Sequence, residues 1–337
     1  MLLMQREEAA PVRDAAGCGV DLCLSFPFLE SPPAAVLRGE ASFGDTLRDA
    51  PSRAPLAAFA DLLRLRLPGA APARAYVGNE TCERLLPSPR SLDSWVSACR
   101  AAGWAVTLLL PPLGGEGQTR ALECARVLAE ETGAEVVAND WGTVHRLRKC
   151  FHDLPIALGR LTHKMLRDPR LAEYFDSPQA PAAARSALCR SGELAPGFRA
   201  LMERYGIRRR EIDPYLQPLE EREWEDRTEM LSVHFPYLFV TMGRACLLGA
   251  MHREAAGKFV PGAPCRAECR KYAVEFLLPV PGESGAGKRL LNLGNAYYHA
   301  VPPSVAGKIM DLLPSRPRVD RIVVTVPAVE AGANPYR

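Results

Sequence analysis

Three cysteines near the C-terminal third of the chain have the type and spacing that could bind a metal ion or an iron–sulfur cluster. Cys265 and Cys269 are four residues apart, so on one helical turn both thiols would point to the same place. Gly257 and Pro261 lie in the preceding loop and would allow Cys246 to fold back towards this pair. Thiolates are soft ligands that suit zinc and iron–sulfur centres. The spacing predicts a thiolate site, with buried core cysteines as the alternative, and it leaves the fourth ligand open.

The composition is that of a cytoplasmic globular protein. The 337 residues are 47% hydrophobic, and ten cysteines without a secretory signal argue against a disulfide framework. The apolar runs are much shorter than a membrane span. The net charge is only +3 and the basic clusters are short, as on solvated surfaces, although nucleic acid stays among the candidate partners. We therefore expect a cytoplasmic protein without a membrane span.

Short apolar runs alternate with amphipathic stretches from residue 72 onwards, which is typical of repeated βα units. The alternation predicts an α/β fold, a distorted or incomplete (β/α) TIM-like barrel over residues 72–330, with a helical insertion at about 160–230. Residues 1–71 are predicted to be an irregular N-terminal extension that contains one strand at 20–26. The other predicted strands are 75–78, 105–110, 135–138, 154–158, 207–212, 231–240, 273–279, 289–293 and 321–326.

Polar residues at the ends of the predicted strands are the candidate catalytic groups, because parallel barrels place their chemistry at the carboxyl ends of the strands. Glu80 and Asp140 each follow a strand, and His234 stands on a strand just before the cysteines. Each could bind a substrate or transfer a proton. Helix capping is the alternative for Asp140, and a structural hydrogen bond is the alternative for His234. The run from Arg160 to Arg167 is cationic, which would suit an anionic small molecule or simply a solvated helix start.

Two parts of the chain together resemble a known family. Residues 75–82 read Ala-Tyr-Val-Gly-Asn-Glu-Thr-Cys, and the three later cysteines follow an apolar strand. In this the chain resembles the collagenase-like peptidase family U-32, and most of all its UbiV-type members of oxygen-independent ubiquinone hydroxylation, over roughly residues 72–327. The resemblance implies a 4Fe–4S cluster held by Cys82, Cys246, Cys265 and Cys269, and a heterodimer partner of the same family. Cys18 and Cys23 are the alternatives to Cys82.

We therefore expect an iron–sulfur protein that acts on a small-molecule substrate in oxygen-independent hydroxylation or a related modification. One alternative is a peptidase or hydrolase, for which the sequence offers no evident pairing of nucleophile and base. The other is a scaffold without catalysis whose cysteines bind zinc.

Overall fold

The computed structural model describes residues 19–40, 53–163, 165, 167–168, 170, 180–188, 190–192, 195–214, 229–258, 260–261, 263–279, 287–312 and 318–326. Within these residues, twelve strands form two sheets. The strands are β1 (Asp21–Phe26), β2 (Pro72–Gly78), β3 (Ala105–Leu110), β4 (Glu135–Ala138), β5 (Ile156–Leu158), β6 (Arg209–Ile212), β7 (Met230–Phe235), β8 (Tyr237–Met242), β9 (Val274–Pro279), β10 (Gly287–Leu293), β11 (Ala296–Ala300) and β12 (Val319–Thr325).

Eight parallel strands close into a barrel in the order β1-β12-β7-β6-β5-β4-β3-β2. Most of them are continuous buried runs, as expected for strands covered on both faces. The prediction of a TIM-like α/β barrel is therefore confirmed. The barrel is closed rather than incomplete, because β1 pairs with both β2 and β12. Since β1 belongs to the stretch assigned to the N-terminal extension, the barrel begins before residue 72.

Helices follow most of the barrel strands. The helix Pro89–Ala101 (α3) shows why they form. At its start, the Ser88 side chain accepts a hydrogen bond from the backbone N–H of Ser91. Along it, Leu92, Trp95 and Cys99 recur at helical spacing on the buried face. No helix among the described residues is both long and apolar enough to cross a membrane. The helices are α1 (Ala34–Leu37), α2 (Arg53–Arg66), α3 (Pro89–Ala101), α4 (Gly115–Leu128), α5 (Trp141–Cys150), α6 (Ala182–Leu188), α7 (Pro196–Arg204), α8 (Leu247–Ala250) and α9 (Pro303–Leu312).

A second sheet of four antiparallel strands, in the order β8-β11-β10-β9, lies in the chain between β7 and β12. The predicted strands 273–279 and 289–293 correspond to β9 and β10, whereas the single strand predicted over residues 231–240 is two strands. Pro236 divides that run into β7 and β8, since proline has no N–H for a strand ladder. The predicted insertion at 160–230 contains α6, α7 and the barrel strand β6, while 171–179 and 215–228 lie outside the described residues.

The barrel interior contains an ion-pair layer in addition to an apolar cluster, which consists of Cys23, Tyr76, Leu109, Val137, Ala157 and Val323. Glu135 lies within 3.8 Å of Arg74 and 3.9 Å of Arg209, contacts Arg321, and accepts a 2.9 Å hydrogen bond from Thr107 Oγ1. Burial by itself would raise the pKa of Glu135, but the three guanidinium groups outweigh it and hold the pKa at about 2. The carboxylate is therefore ionised inside the barrel and depends on its arginine partners.

Candidate metal centre

Cys82, Cys246, Cys265 and Cys269, here called the four-cysteine site, come from three separate segments of the chain. Cys82 follows β2 and precedes the short 3-10 helix Glu83–Leu85, while Cys246 precedes α8. Cys265 precedes a second 3-10 helix, Glu268–Arg270, and Cys269 lies within it. The fold brings together the segments that the sequence analysis selected.

The thiols of the four-cysteine site are close enough to influence one another electrostatically. Burial raises the pKa of the Cys269 thiol, and the other three thiols raise it further. Burial also raises the pKa of Cys82, with added contributions from Cys246 and Cys265. All four are free cysteines. The thiols of Cys82, Cys246 and Cys265 therefore disfavour ionisation of neighbouring thiols unless a cation compensates the charge.

Backbone amides point at the sulfur atoms. The N–H of Gly249 donates to Cys246 Sγ at 3.2 Å, and the N–H of Ala267 donates to Cys265 Sγ at 3.4 Å. Such hydrogen bonds favour the thiolate form and, in iron–sulfur proteins, help to set the reduction potential.

Two glycines allow the close approach of the cysteine segments. A Cβ added at Gly249 would lie 3.3 Å from Cys265 Cβ and 3.5 Å from Cys246 Sγ. Gly294 has a φ of +68°, and a Cβ there would lie 3.8 Å from Cys269 Sγ. The space beside the sulfurs is thus kept free of side chains.

Two asparagines hold the Cys82 loop in place. Asn79 Oδ1 accepts hydrogen bonds from the N–H groups of Thr81 at 2.9 Å and Cys82 at 2.8 Å. Asn295 Nδ2 donates to the carbonyl oxygens of Thr81 at 2.8 Å and Gly243 at 3.0 Å. Asn295 therefore ties the Cys82 loop to the segment that leads to Cys246. Asn295 was not among the predicted site residues, because its position in a turn between two strands is the one feature that the local sequence shows.

The prediction that Cys265 and Cys269 share a helical turn is wrong. Ala267, between them, has a left-handed conformation with φ 56° and ψ 41°, so the chain turns before the 3-10 helix begins. Among the residues that the structure describes, no three Cys, His, Asp or Glu side chains are close enough to surround one metal ion.

Glu80 belongs to a buried ion-pair network beside the four-cysteine site. Arg160 Nε donates to Glu80 Oε2 at 2.8 Å and Arg160 Nη1 to Asp213 Oδ1 at 2.7 Å, and the arginine side chain is only 1% exposed. Tyr298 donates its hydroxyl to Glu80 Oε1 at 3.2 Å. Burial would raise the pKa of Glu80, but the Arg160 guanidinium outweighs it and lowers the pKa. Glu80 is thus held as a paired carboxylate.

The arginines of the cationic run from Arg160 to Arg167, which the sequence suggested as an anion site, form ion pairs inside the protein. Arg160 is occupied as above, and Arg167 Nη1 lies 3.0 Å from Asp213 Oδ2. Arg167 Nη2 also donates to the carbonyl oxygens of Arg160 at 2.9 Å and His163 at 2.7 Å. Both arginines are thus paired inside the protein, while Lys164 of the same run lies outside the described residues.

The other candidate catalytic residues lie apart from the thiols. Asp140 caps α5, accepting hydrogen bonds from the N–H of Thr143 at 2.8 Å and its hydroxyl at 2.6 Å. His234 is buried in the barrel, where its Nε2 lies 2.6 Å from Glu211 Oε2. Tyr76 donates its hydroxyl to the other oxygen of Glu211 at 3.2 Å. Capping thus occupies Asp140, whereas His234 keeps the oriented His–carboxylate geometry of a proton-transfer group.

The other cysteines that the structure describes do not belong to the site. Cys23 faces the barrel interior near Arg321 and Arg74, and burial raises its pKa to about 12. Cys99 and Cys124 are fully buried core residues. Cys18, the other alternative for the fourth ligand, lies outside the described residues.

The chain was also compared with known proteins. Neither the models of protein families nor the curated proteins include a match to it.

Proposed function

We propose that this chain is an iron–sulfur protein whose four-cysteine site holds a 4Fe–4S cluster at the carboxyl ends of the barrel strands. The observation that carries the proposal is the convergence of four free thiols from three segments, with Cys246 and Cys265 both packed against Gly249. Cys82, Cys246 and Cys265 also each raise the pKa of another thiol of the set. Such a set is unfavourable as thiolates in the absence of a cation. A cluster that binds all four would compensate the charge and release their protons.

Four thiolates are the usual ligand set of a 4Fe–4S cluster, and they also suit zinc. We choose the cluster because the chain resembles the U-32 family, and this resemblance implies a 4Fe–4S cluster held by cysteines at these four positions.

The resemblance to the U-32 family supports oxygen-independent hydroxylation of a small molecule, or a related modification, in a heterodimer with a partner of the same family. A bound cluster would supply electron transfer to such a reaction. The chain's own residues would position it: Arg160 fixes Glu80 and so the Cys82 loop, while amides of Gly249 and Ala267 bond the sulfurs. The buried His234–Glu211 pair is the proposed proton-transfer group. We also propose a cytoplasmic location, where thiols stay reduced.

Anaerobic purification tests the proposal. We expect a brown protein with about four irons per chain and thiolate-to-iron charge-transfer absorbance at about 400 nm. Cys82→Ala should lose this absorbance, whereas the matched control Cys99→Ala should keep it, because Cys99 is a fully buried residue of α3. A colourless protein with one zinc would support the scaffold alternative and overturn the cluster.

A further inference from the structure

A pocket of about 260 Å³ opens beside the four-cysteine site. One wall is the loop after β1, with Phe28 and Glu30, and the other is the segment that carries Cys265 and Cys269. The pocket therefore lies at the carboxyl end of a barrel strand, where ligands bind in TIM barrels. We call it the cationic pocket, and its lining includes Phe28, Glu30, Arg266, Ala267, Arg270 and Lys271.

The cationic pocket has an excess of positive charge. Glu30 is its one carboxylate lining residue, and it is ion-paired with Arg270. Arg266 and Lys271 are exposed, and within the described parts of the chain neither side chain forms an ion pair. Two cationic side chains thus line the pocket without an ion pair among the described residues. Glu268, whose Oε2 accepts a hydrogen bond from the backbone N–H of Arg266 at 3.2 Å, is paired with His252.

Another pocket, of about 400 Å³ and lined by Arg167, Asp168 and Arg170, has no such excess of positive charge. Its arginines are paired: Arg167 with Asp213 at 3.0 Å and Arg170 with Asp168 at 2.7 Å. An anion would have to displace these carboxylates. The charge excess is therefore a feature of the cationic pocket and not of both pockets.

The wall nearest the thiols is apolar and conformationally constrained. Phe28 is buried, and a Cβ added at Gly294 would lie 3.9 Å from its ring and 3.8 Å from Cys269 Sγ. Ala267 lines the pocket in a left-handed conformation, which is costly for a residue with a Cβ and is concentrated at ligand sites. The same segment therefore shapes the pocket and carries two of the cysteines.

We propose that the cationic pocket binds the substrate of this protein, a small anion with an apolar body. Arg266 and Lys271 bind its carboxylate or phosphate group, and Phe28 packs against the apolar part. This proposal rests on the proposed function, because the substrate role depends on a cluster at the adjacent cysteines. It adds the chemical class of the substrate and the residues that select it.

The test uses the full chain, purified anaerobically, with benzoate as the probe and neutral, nearly isosteric benzamide as its control. Binding is measured by calorimetry. We expect benzoate to bind about tenfold more tightly than benzamide. Arg266→Gln and Lys271→Gln should each weaken benzoate by about fivefold, the upper range for one partly solvated ion pair. Arg289→Gln, on the exposed face of β10 and paired with Glu275, should leave the affinity unchanged.

Iron content, measured on the same samples, separates this proposal from the proposed function. Normal iron with equal binding of benzoate and benzamide, or with affinities unchanged by both substitutions, overturns the cationic pocket and leaves the cluster in place. Charge-dependent binding in a protein without iron overturns the cluster and the substrate role, and supports the anion site alone. Charge-dependent binding in an iron-loaded protein supports both.

Discussion

Replacing Arg160 with methionine tests the buried network that supports the Cys82 loop. Methionine is of similar length and fills part of the space, but it removes the guanidinium that bonds Glu80 and Asp213. Asp213 keeps a second cation, since Arg167 Nη1 lies 3.0 Å away. Glu80 keeps only the Tyr298 hydroxyl among the contacts described above. The variant therefore leaves one buried carboxylate without its main charge partner.

The magnitude follows from the burial of the pair. Removing one partner of a buried ion pair costs about 3–5 kcal/mol. No discount for solvent applies here, because the side chains of Arg160 and Glu80 are 1% and 9% exposed. Unfolding of the 337 residues carries an entropy of about 0.7 kcal/mol per degree at about 2.1 cal/mol/K per residue. The melting temperature of Arg160→Met should therefore fall by about 4–7 °C.

The pH dependence has a definite sign. In the wild type, Arg160 outweighs the effect of burial and lowers the pKa values of Glu80 and Asp213, so this stabilisation is present at neutral pH and is lost as the pH falls through them. In the variant, burial is less opposed and raises the pKa of Glu80, so acidification protonates Glu80 and relieves the penalty. The difference in stability should be largest at neutral pH and should narrow towards about pH 4.

Thermal unfolding of the two proteins at several pH values measures the effect. Arg170→Met is the matched control, because Arg170 also pairs with an aspartate at 2.7 Å but its side chain is 42% exposed. The control should change the free energy of unfolding by less than about 0.5 kcal/mol. If Arg160→Met changes stability no more than this control, or if its deficit grows on acidification, the network does not support the loop as argued.

Two further variants test the cysteine site and the barrel interior. Gly249→Ala should lower the iron content without removing a ligand, because its Cβ would lie 3.3 Å from Cys265 Cβ and 3.5 Å from Cys246 Sγ; iron equal to wild type would contradict this crowding. Glu135→Gln should lower the stability at pH 7 by about 3 kcal/mol, because it leaves the arginine layer without its carboxylate. It should also flatten the loss of stability between about pH 4.5 and 2, since the pKa of Glu135 is about 2; chemical denaturation measures both, and an unchanged acid profile would count against it.

The local elements of this protein could be predicted from the sequence. Strands β3 and β4 were predicted over the residues they occupy, because short continuous apolar runs between helices are typical of buried parallel strands. Asp140 was offered as a helix cap, and it caps α5. These signals depend on residues within a few positions of one another.

The spacing of the cysteines predicted only which residues could share a ligand position, and not how the chain brings them together. Cys265 and Cys269 suggested a shared ligand position, but the helical turn proposed for them is absent, because Ala267 turns the chain. The approach of Cys82 to these residues follows from barrel closure and from the antiparallel sheet after β7. Neither could be read from local periodicity, since both depend on strand pairs far apart in the chain.

The tertiary structure also decided what the charged residues do. Arg160 and Glu80 are eighty residues apart, and arginine and glutamate are residue types that are usually exposed to solvent. They are buried because Glu80 follows β2 while Arg160 and Asp213 follow β5 and β6, and the three side chains meet at the same end of the barrel. Their mutual pairing there offsets the cost of desolvation. Arg266 and Lys271 are as cationic as Arg160, yet they face a pocket beside the thiols. The sequence by itself determined which groups are present, and long-range packing determined which are neutralised inside the protein and which line a pocket.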